Sequence, residues 1–219
     1  MDNNHSDATI VLLDNHDSFV YNLVDAFAVA GYRCLVYRNT VPVEVIMEAS
    51  PDLICLSPGP GHPRDAGNMM QLIAEVYGRI PLLGICLGFQ ALLEHHGAVV
   101  EPCGPVHGST DNMVLTSAGQ GSPIFHGLTV DDAIENNFHG KLVPIARYHS
   151  LGCTNPPAAL TPLGVCDSRI GEITMAAHSL ENKAIGLQFH PESVLSLQGP
   201  IILERCIETL LRADPRCSS

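Results

Sequence analysis

The chain has 219 residues, 46% of them hydrophobic, and a formal net charge of -12. That length suits one domain able to bury a core without disulfide or metal staples. With only 11 Lys and Arg and no basic run, the composition argues against a nucleic-acid or anionic-membrane partner, since both need clustered positive charge.

The opening MDNNHSDAT is polar and lacks the charged-then-apolar order of a signal peptide, and no apolar stretch reaches the length of a membrane span. A cytoplasmic protein is therefore expected. In a reducing compartment the cysteines at 34, 55, 86, 103, 153, 166, 206 and 217 should remain thiols, and the absence of a Cys-x-x-Cys pair argues against structural zinc.

Short, nearly continuous apolar runs alternate with amphipathic stretches in the first half, the pattern of buried parallel strands joined by crossover helices. TIVLLD (Thr9 to Asp14) reads as the first strand. Asp17 or Ser18 then suits a helix N-cap, FVYNLVDAFAVA a helix, and Gly31 its C-terminus. RCLVYR (Arg33 to Arg38) is a second strand, Pro42 fits the first turn of a helix through VEVIMEA, and DLICLS (Asp52 to Ser57) is a third strand ending in PGPGHP. A helix from Asn68 to Tyr77, the strand PLLGIC and the helix LGFQALLEHHG complete this half.

From Ala98 the texture changes to short strand-like segments among Gly and Pro: DNMVLT, PIARYHSL, EITMAAH and AIGLQFH. These predict an antiparallel addition or extended edge, with TNPPAALTP (Thr154 to Pro162) as a surface loop and a last helix from about Pro200 to Leu211. The expected fold is thus α/β: a single domain with a central, mostly parallel sheet flanked by helices, plus a smaller antiparallel addition in the second half. Its expected limits are residues 9–212, with a disordered segment at 1–8 and a polar tail at 213–219.

Three stretches invite chemistry. Cys86 lies at a strand-to-helix corner between Gly84 and Gly88, the Gly-x-Cys-x-Gly counterpart of the Gly-x-Ser-x-Gly nucleophile elbow, where the helix start favours a thiolate. A buried core cysteine is the plain alternative. In AIGLQFHPESV, Pro191 biases His190 to an extended conformation, so that His190 and Glu192 project to one side as a base and its orienting carboxylate. A strand end with a turn proline and a solvated Glu is the simpler reading. SPGPGHP (Ser57 to Pro63) follows a buried strand, and its glycines allow a backbone N–H to face an oxyanion; its spacing fits neither phosphate-binding fingerprint.

Together PGPG, GICLGFQ and FHPES resemble the class I (triad-type) glutamine amidotransferases. DNHDSFVYNL, SPGPGHPRDAGN, ARYHSL and GLQFHPESV extend the resemblance to the glutaminase subunits of anthranilate synthase and aminodeoxychorismate synthase. The resemblance implies Cys86 as nucleophile, His190 as base and acid, and Glu192 as its orienter. It implies an oxyanion hole from the backbone N–H groups of Gly59 and Leu87, and glutamine contacts at Gly59, Gly61, Gln90, Ser150 and Leu151. It further implies a protein partner, a chorismate-using synthase subunit that receives ammonia, and no cofactor or metal for the glutaminase step, magnesium belonging to that partner.

Two positions depart from the family. Phe89 stands where many relatives carry His, so aromatic packing is expected in place of a polar contact. After His107 and Gly108 the residues differ from the Lys-rich family version, and His107 reads as a loop residue. Asp17 and Ser18, read above as helix caps, match residues near the synthase interface in relatives.

Overall fold

Thr9–Asp14, the first apolar run, is buried along its whole length as strand β1, with a parallel neighbour on each side. In the computed structural model, which describes residues 8–106, 108–132 and 140–214, those neighbours are β2 (Arg33–Arg38) and β3 (Leu53–Leu56). β4 (Leu82–Ile85) pairs with β3, and β11 (Ala184–Leu187) with β4, again parallel. The sheet continues antiparallel through β10 (Gly171–Ser179), β9 (Thr161–Ser168), β6 (Ser109–Leu115) and β7 (Leu142–Arg147), giving nine strands in the order β2-β1-β3-β4-β11-β10-β9-β6-β7. A separate two-stranded ribbon joins β5 (Glu101–Pro102) to β8 (Leu151–Gly152).

The two-residue period of a strand divides the parallel part between two cores. Ile10, Leu12, Leu53, Cys55, Ile185 and Leu187 face α1 (Val20–Val29) and α6 (Gly199–Arg212). Val11, Leu13, Ile54, Leu56 and Ala184 face α2 (Val43–Glu48), α3 (Met69–Val76) and α4 (Leu87–His95). Fully burying one Leu or Ile side chain contributes about 2 kcal/mol. Apolar residues at every strand position therefore fit a sheet covered on both faces. A short helix α5 (Ser117–Gln120) is capped by Thr116, whose Oγ1 accepts from Gly119 N at 3.1 Å.

Several expectations need correction. Neither Asp17 nor Ser18 caps α1: its N-cap is Phe19, because the Asp17 carboxylate accepts the Phe19 N–H at 2.6 Å in the turn ahead. Pro42 is an N-cap, one residue outside α2. The run AIGLQFH does not belong to an antiparallel edge; β11 lies parallel to β4 at the centre of the sheet, buried at every position. The proline-rich stretch ends as the start of β9. Pro162 there lies opposite Ala177 beside a register shift, and its carbonyl accepts the Thr116 hydroxyl at 2.8 Å. A proline missing its N–H is tolerated at such an irregularity. His107, Cys217, most of the 1–8 segment and residues 215–219 of the tail lie outside the described residues. No helix among the described residues is long and apolar enough to cross a membrane.

Candidate active site

Three loops meet at the carboxyl ends of β3, β4 and β11. Cys86 follows β4 and is the N-cap of α4, at φ +49° and ψ -100°. A non-glycine residue rarely adopts positive φ, and such strain persists only where the surroundings enforce it. Here Cys86 N donates to Leu187 O at 2.7 Å, while Cys86 O accepts the Gln90 N–H at 3.0 Å as α4 begins. The flanking glycines permit backbone to lie against backbone. A Cβ on Gly88 would stand 2.2 Å from Leu56 O, and one on Gly84 would stand 2.7 Å from Gly88 C.

His190 follows β11 and is pinned from two sides. Its N–H donates to Ala146 O at 3.0 Å, and its carbonyl accepts from Ser196 Oγ at 2.7 Å and Ser193 N at 3.2 Å. The last bond closes a tight turn. It is this turn, rather than an extended run, that brings Glu192 Oε1 to 2.7 Å from His190 Nδ1. Both side chains are buried, and Glu192 Oε2 takes no hydrogen bond. The rings of Phe19 and Tyr148 stand edge-on to the imidazole, with centroids at 5.5 and 5.0 Å, and Tyr148 Oη is 3.0 Å from Ser193 Oγ.

The Cys86 side chain lies near enough to the imidazole to influence its charge. Burial opposes a charge on His190, but its interactions with Cys86 and the Glu192 carboxylate outweigh it and raise its pKa to about 10. Cys86, His190 and Glu192 are thus brought together from two neighbouring strands far apart in sequence, with His190 and Glu192 directly hydrogen-bonded.

The loop after β3 completes the site. A Cβ on Gly59 would lie 2.6 Å from Asn15 Cβ and 2.9 Å from Leu87 Cδ2, so this loop crosses directly over both residues. Asn15 supports it from beneath: its N–H donates to Ser57 Oγ at 2.9 Å and its Nδ2 to Ser57 O at 3.0 Å. Gly61 is exposed at φ +82°. Glu94, buried on α4, ties the far end of the loop through His62 Nε2 at 3.3 Å and Arg64 Nε at 3.1 Å.

Gln90 is buried, and its Nε2 donates to Leu151 O at 3.2 Å and Gln188 Oε1 at 3.1 Å. Ser150 is exposed and Leu151 half-buried beside it. Among the described residues, no group of three or more His, Cys, Asp or Glu side chains is placed to hold a metal ion.

The sequence matches the family model described as glutamine amidotransferase class-I over residues 11–210. The chain belongs to the class I glutamine amidotransferases. It is 66% identical over 203 residues to anthranilate synthase component 2 of Corynebacterium glutamicum, spanning 92% of this chain and 98% of that one. To the protein of that name from Vibrio parahaemolyticus it is 39% identical over 212 residues, spanning 94% and 98% of the two chains. Among solved structures, a glutamine amidotransferase of Thermotoga maritima shares the fold with a TM-score of 0.68 at 17% identity, covering 93% of this chain and 98% of that one.

In this class I amidotransferase Phe89 is fully buried, and its ring fills the space beside Gly186, where a Cβ would lie 1.9 Å from Phe89 Cδ2. Asp17 serves the turn before α1. Sequence reasoning passed over Gln188, whose Nε2 donates to Cys86 Sγ at 3.6 Å, and over Asn15, Glu94 and Tyr148. Gln188 carried a usable signal: an amide inside the otherwise apolar run AIGLQF is costly to bury unless it has partners.

Proposed function

We propose that the chain is the glutamine-hydrolysing subunit of an anthranilate synthase, passing ammonia to a chorismate-using synthase subunit. The observation that carries this reading is the buried Cys86, His190 and Glu192 set at a positive-φ elbow, in a chain that matches the class I family over residues 11–210. The choice of synthase is supported by relatives named anthranilate synthase component 2, at 66% and 39% identity over nearly their full length.

The chemistry follows from the geometry. The Cys86 thiol gives its proton to His190 as Sγ adds to the side-chain amide carbon of glutamine, and the carbonyl oxygen takes the negative charge toward the backbone N–H groups of Gly59 and Leu87. His190, held by Glu192, gives a proton to the amide nitrogen, the C–N bond breaks, and ammonia leaves a glutamyl thioester on Cys86. The imidazole then removes a proton from water, which attacks the thioester and releases glutamate and the thiol. Glutamine and water thus become glutamate and ammonia. Gly61 and Gln90, with the backbone at Ser150 and Leu151, hold the substrate. These steps call on no cofactor or metal; magnesium, where used, serves the synthase subunit. Ammonia loses its nucleophilicity once protonated in bulk water, so direct transfer to a bound partner in the cytoplasm fits this chemistry.

The test is product formation by the complex that co-purifies with the chain, supplied with chorismate and glutamine. Anthranilate is expected, and aminodeoxychorismate as sole product would transfer the protein to the other synthase. Cys86→Ser should lower glutamine-dependent synthesis by about 1,000-fold or more while ammonium salts still support it. Undiminished glutamine use by that variant would remove Cys86 from the mechanism.

A further inference from the structure

His149 lies between β7 and β8 and is 3% exposed, yet none of the steps above uses it. Its Nε2 accepts from Arg147 Nε at 3.3 Å. That leaves the proton of a neutral imidazole on Nδ1, which stands 2.9 Å from Leu151 O and donates to it. Arg147, itself buried, is oriented by the Asp111 carboxylate of β6 and by Asp167 O of β9. Leu151 O also accepts from Gln90 Nε2, and Gln90 reaches Cys86 Sγ through Gln188. One hydrogen-bonded run thus crosses the antiparallel part of the sheet and ends on the thiol.

We propose that His149 is a positioning residue for glutamine: its Nδ1–H fixes the Leu151 carbonyl and so the backbone at Ser150 and Leu151 against which the substrate rests. This rests on the glutamine-hydrolysing function proposed above. Two donors on Leu151 O set the plane of that peptide, and the preceding carbonyl, Ser150 O, is held separately by Cys103 N at 2.9 Å. With both carbonyls anchored, the strip cannot rotate without breaking buried hydrogen bonds.

The imidazole is suited to the task because it stays neutral. Burial and the Arg147 guanidinium lower its pKa to about 4, with His190 adding to the effect and the Leu151 hydrogen bond opposing it. The ring is therefore uncharged at neutral pH, and the Arg147 Nε–H on Nε2 selects the tautomer that donates to Leu151. Cys103 Sγ, 3.8 Å from Nδ1, is too weak a partner to compete with the carbonyl.

Two amide substitutions separate the roles of the ring nitrogens. Asn places its Nδ2 near the position of the histidine Nδ1 and retains a donor for Leu151 O; Gln places its amide near Nε2 and does not. In the complex with its synthase subunit, His149→Asn should keep the KM for glutamine within about threefold, whereas His149→Gln should raise it about tenfold with a much smaller change in kcat. A residue that only filled space would not rank two polar amides in this way.

Asp111→Ala, at the half-exposed end of the run, tests the same line without altering the core, and a KM raised by about threefold is expected. It decides the matter if His149→Gln melts below the assay temperature. Equal KM values for the two amide variants, a loss confined to kcat, or an unchanged KM in Asp111→Ala overturns the assignment. Absence of glutamine turnover in the unaltered complex overturns the proposed function and this assignment with it; the variant outcomes in an active complex bear on His149 alone.

Discussion

The same imidazole makes a prediction about stability. Folded His149 takes a proton only near pH 4, whereas an unfolded histidine does so near pH 6.5. Between these values the unfolded chain holds more protons, so stability rises with pH: the contribution is complete above about pH 6.5 and is lost as pH falls toward 4. Urea titrations should show the parent losing up to about 3 kcal/mol more than His149→Asn between pH 7 and pH 4. Parallel pH profiles would mean that the ring titrates as if exposed to water. His190 works in the opposite sense, since its raised pKa gives a contribution present below about pH 6.5 and lost as pH rises through about 10. Cys86, His190 and Glu192 were legible in the sequence because their types and flanking glycines and proline point to chemistry. His149 and Asn15 were not, and Gln188 showed only that it needs a partner, since the role of a buried polar residue is not readable until its partners, distant in sequence, are known.

Within the elements, the loop after β3 and the first turn of α4 act as one unit. Gly88→Ala would press a methyl group against Leu56, 2.2 Å from its carbonyl oxygen, where no flexible side-chain end can yield. A cost of about 3 kcal/mol is expected from the denaturation midpoint, along with reduced glutamine turnover. Glu94 tests the other end of the loop. Glu94→Leu keeps an apolar body in the α3–α4 layer but releases His62 and Arg64. Amide hydrogen exchange should quicken about tenfold or more across residues 61–66 while the interior of α4 stays protected. Equal protection in parent and variant would show that Asn15 and the packing around Gly59 hold the loop without Glu94. Helix existence was readable from the spacing of apolar residues, but the α1 start was not: Asp17 could cap a helix or a preceding turn, and only the folded chain shows the turn.

At the scale of the whole molecule, the parallel half was legible because its interior strands β1, β3 and β4 are apolar nearly throughout and alternate with amphipathic helices. The second half was harder. Ala184–Leu187 shares that apolar texture but reaches its place beside β4 from the antiparallel β10, so its direction in the sheet depends on a pairing no local pattern reveals. β9 was hidden by Pro162, whose missing N–H matters little at an irregular register. The central position of β11 is also what makes the site possible, because it sets the strand leading to His190 beside the strand leading to Cys86. Between α4 and that strand, the Phe89 ring occupies the side-chain space absent at Gly186. The separation of α4 from the sheet beneath the site is therefore gauged by the thickness of one aromatic ring, a spacer rather than a participant.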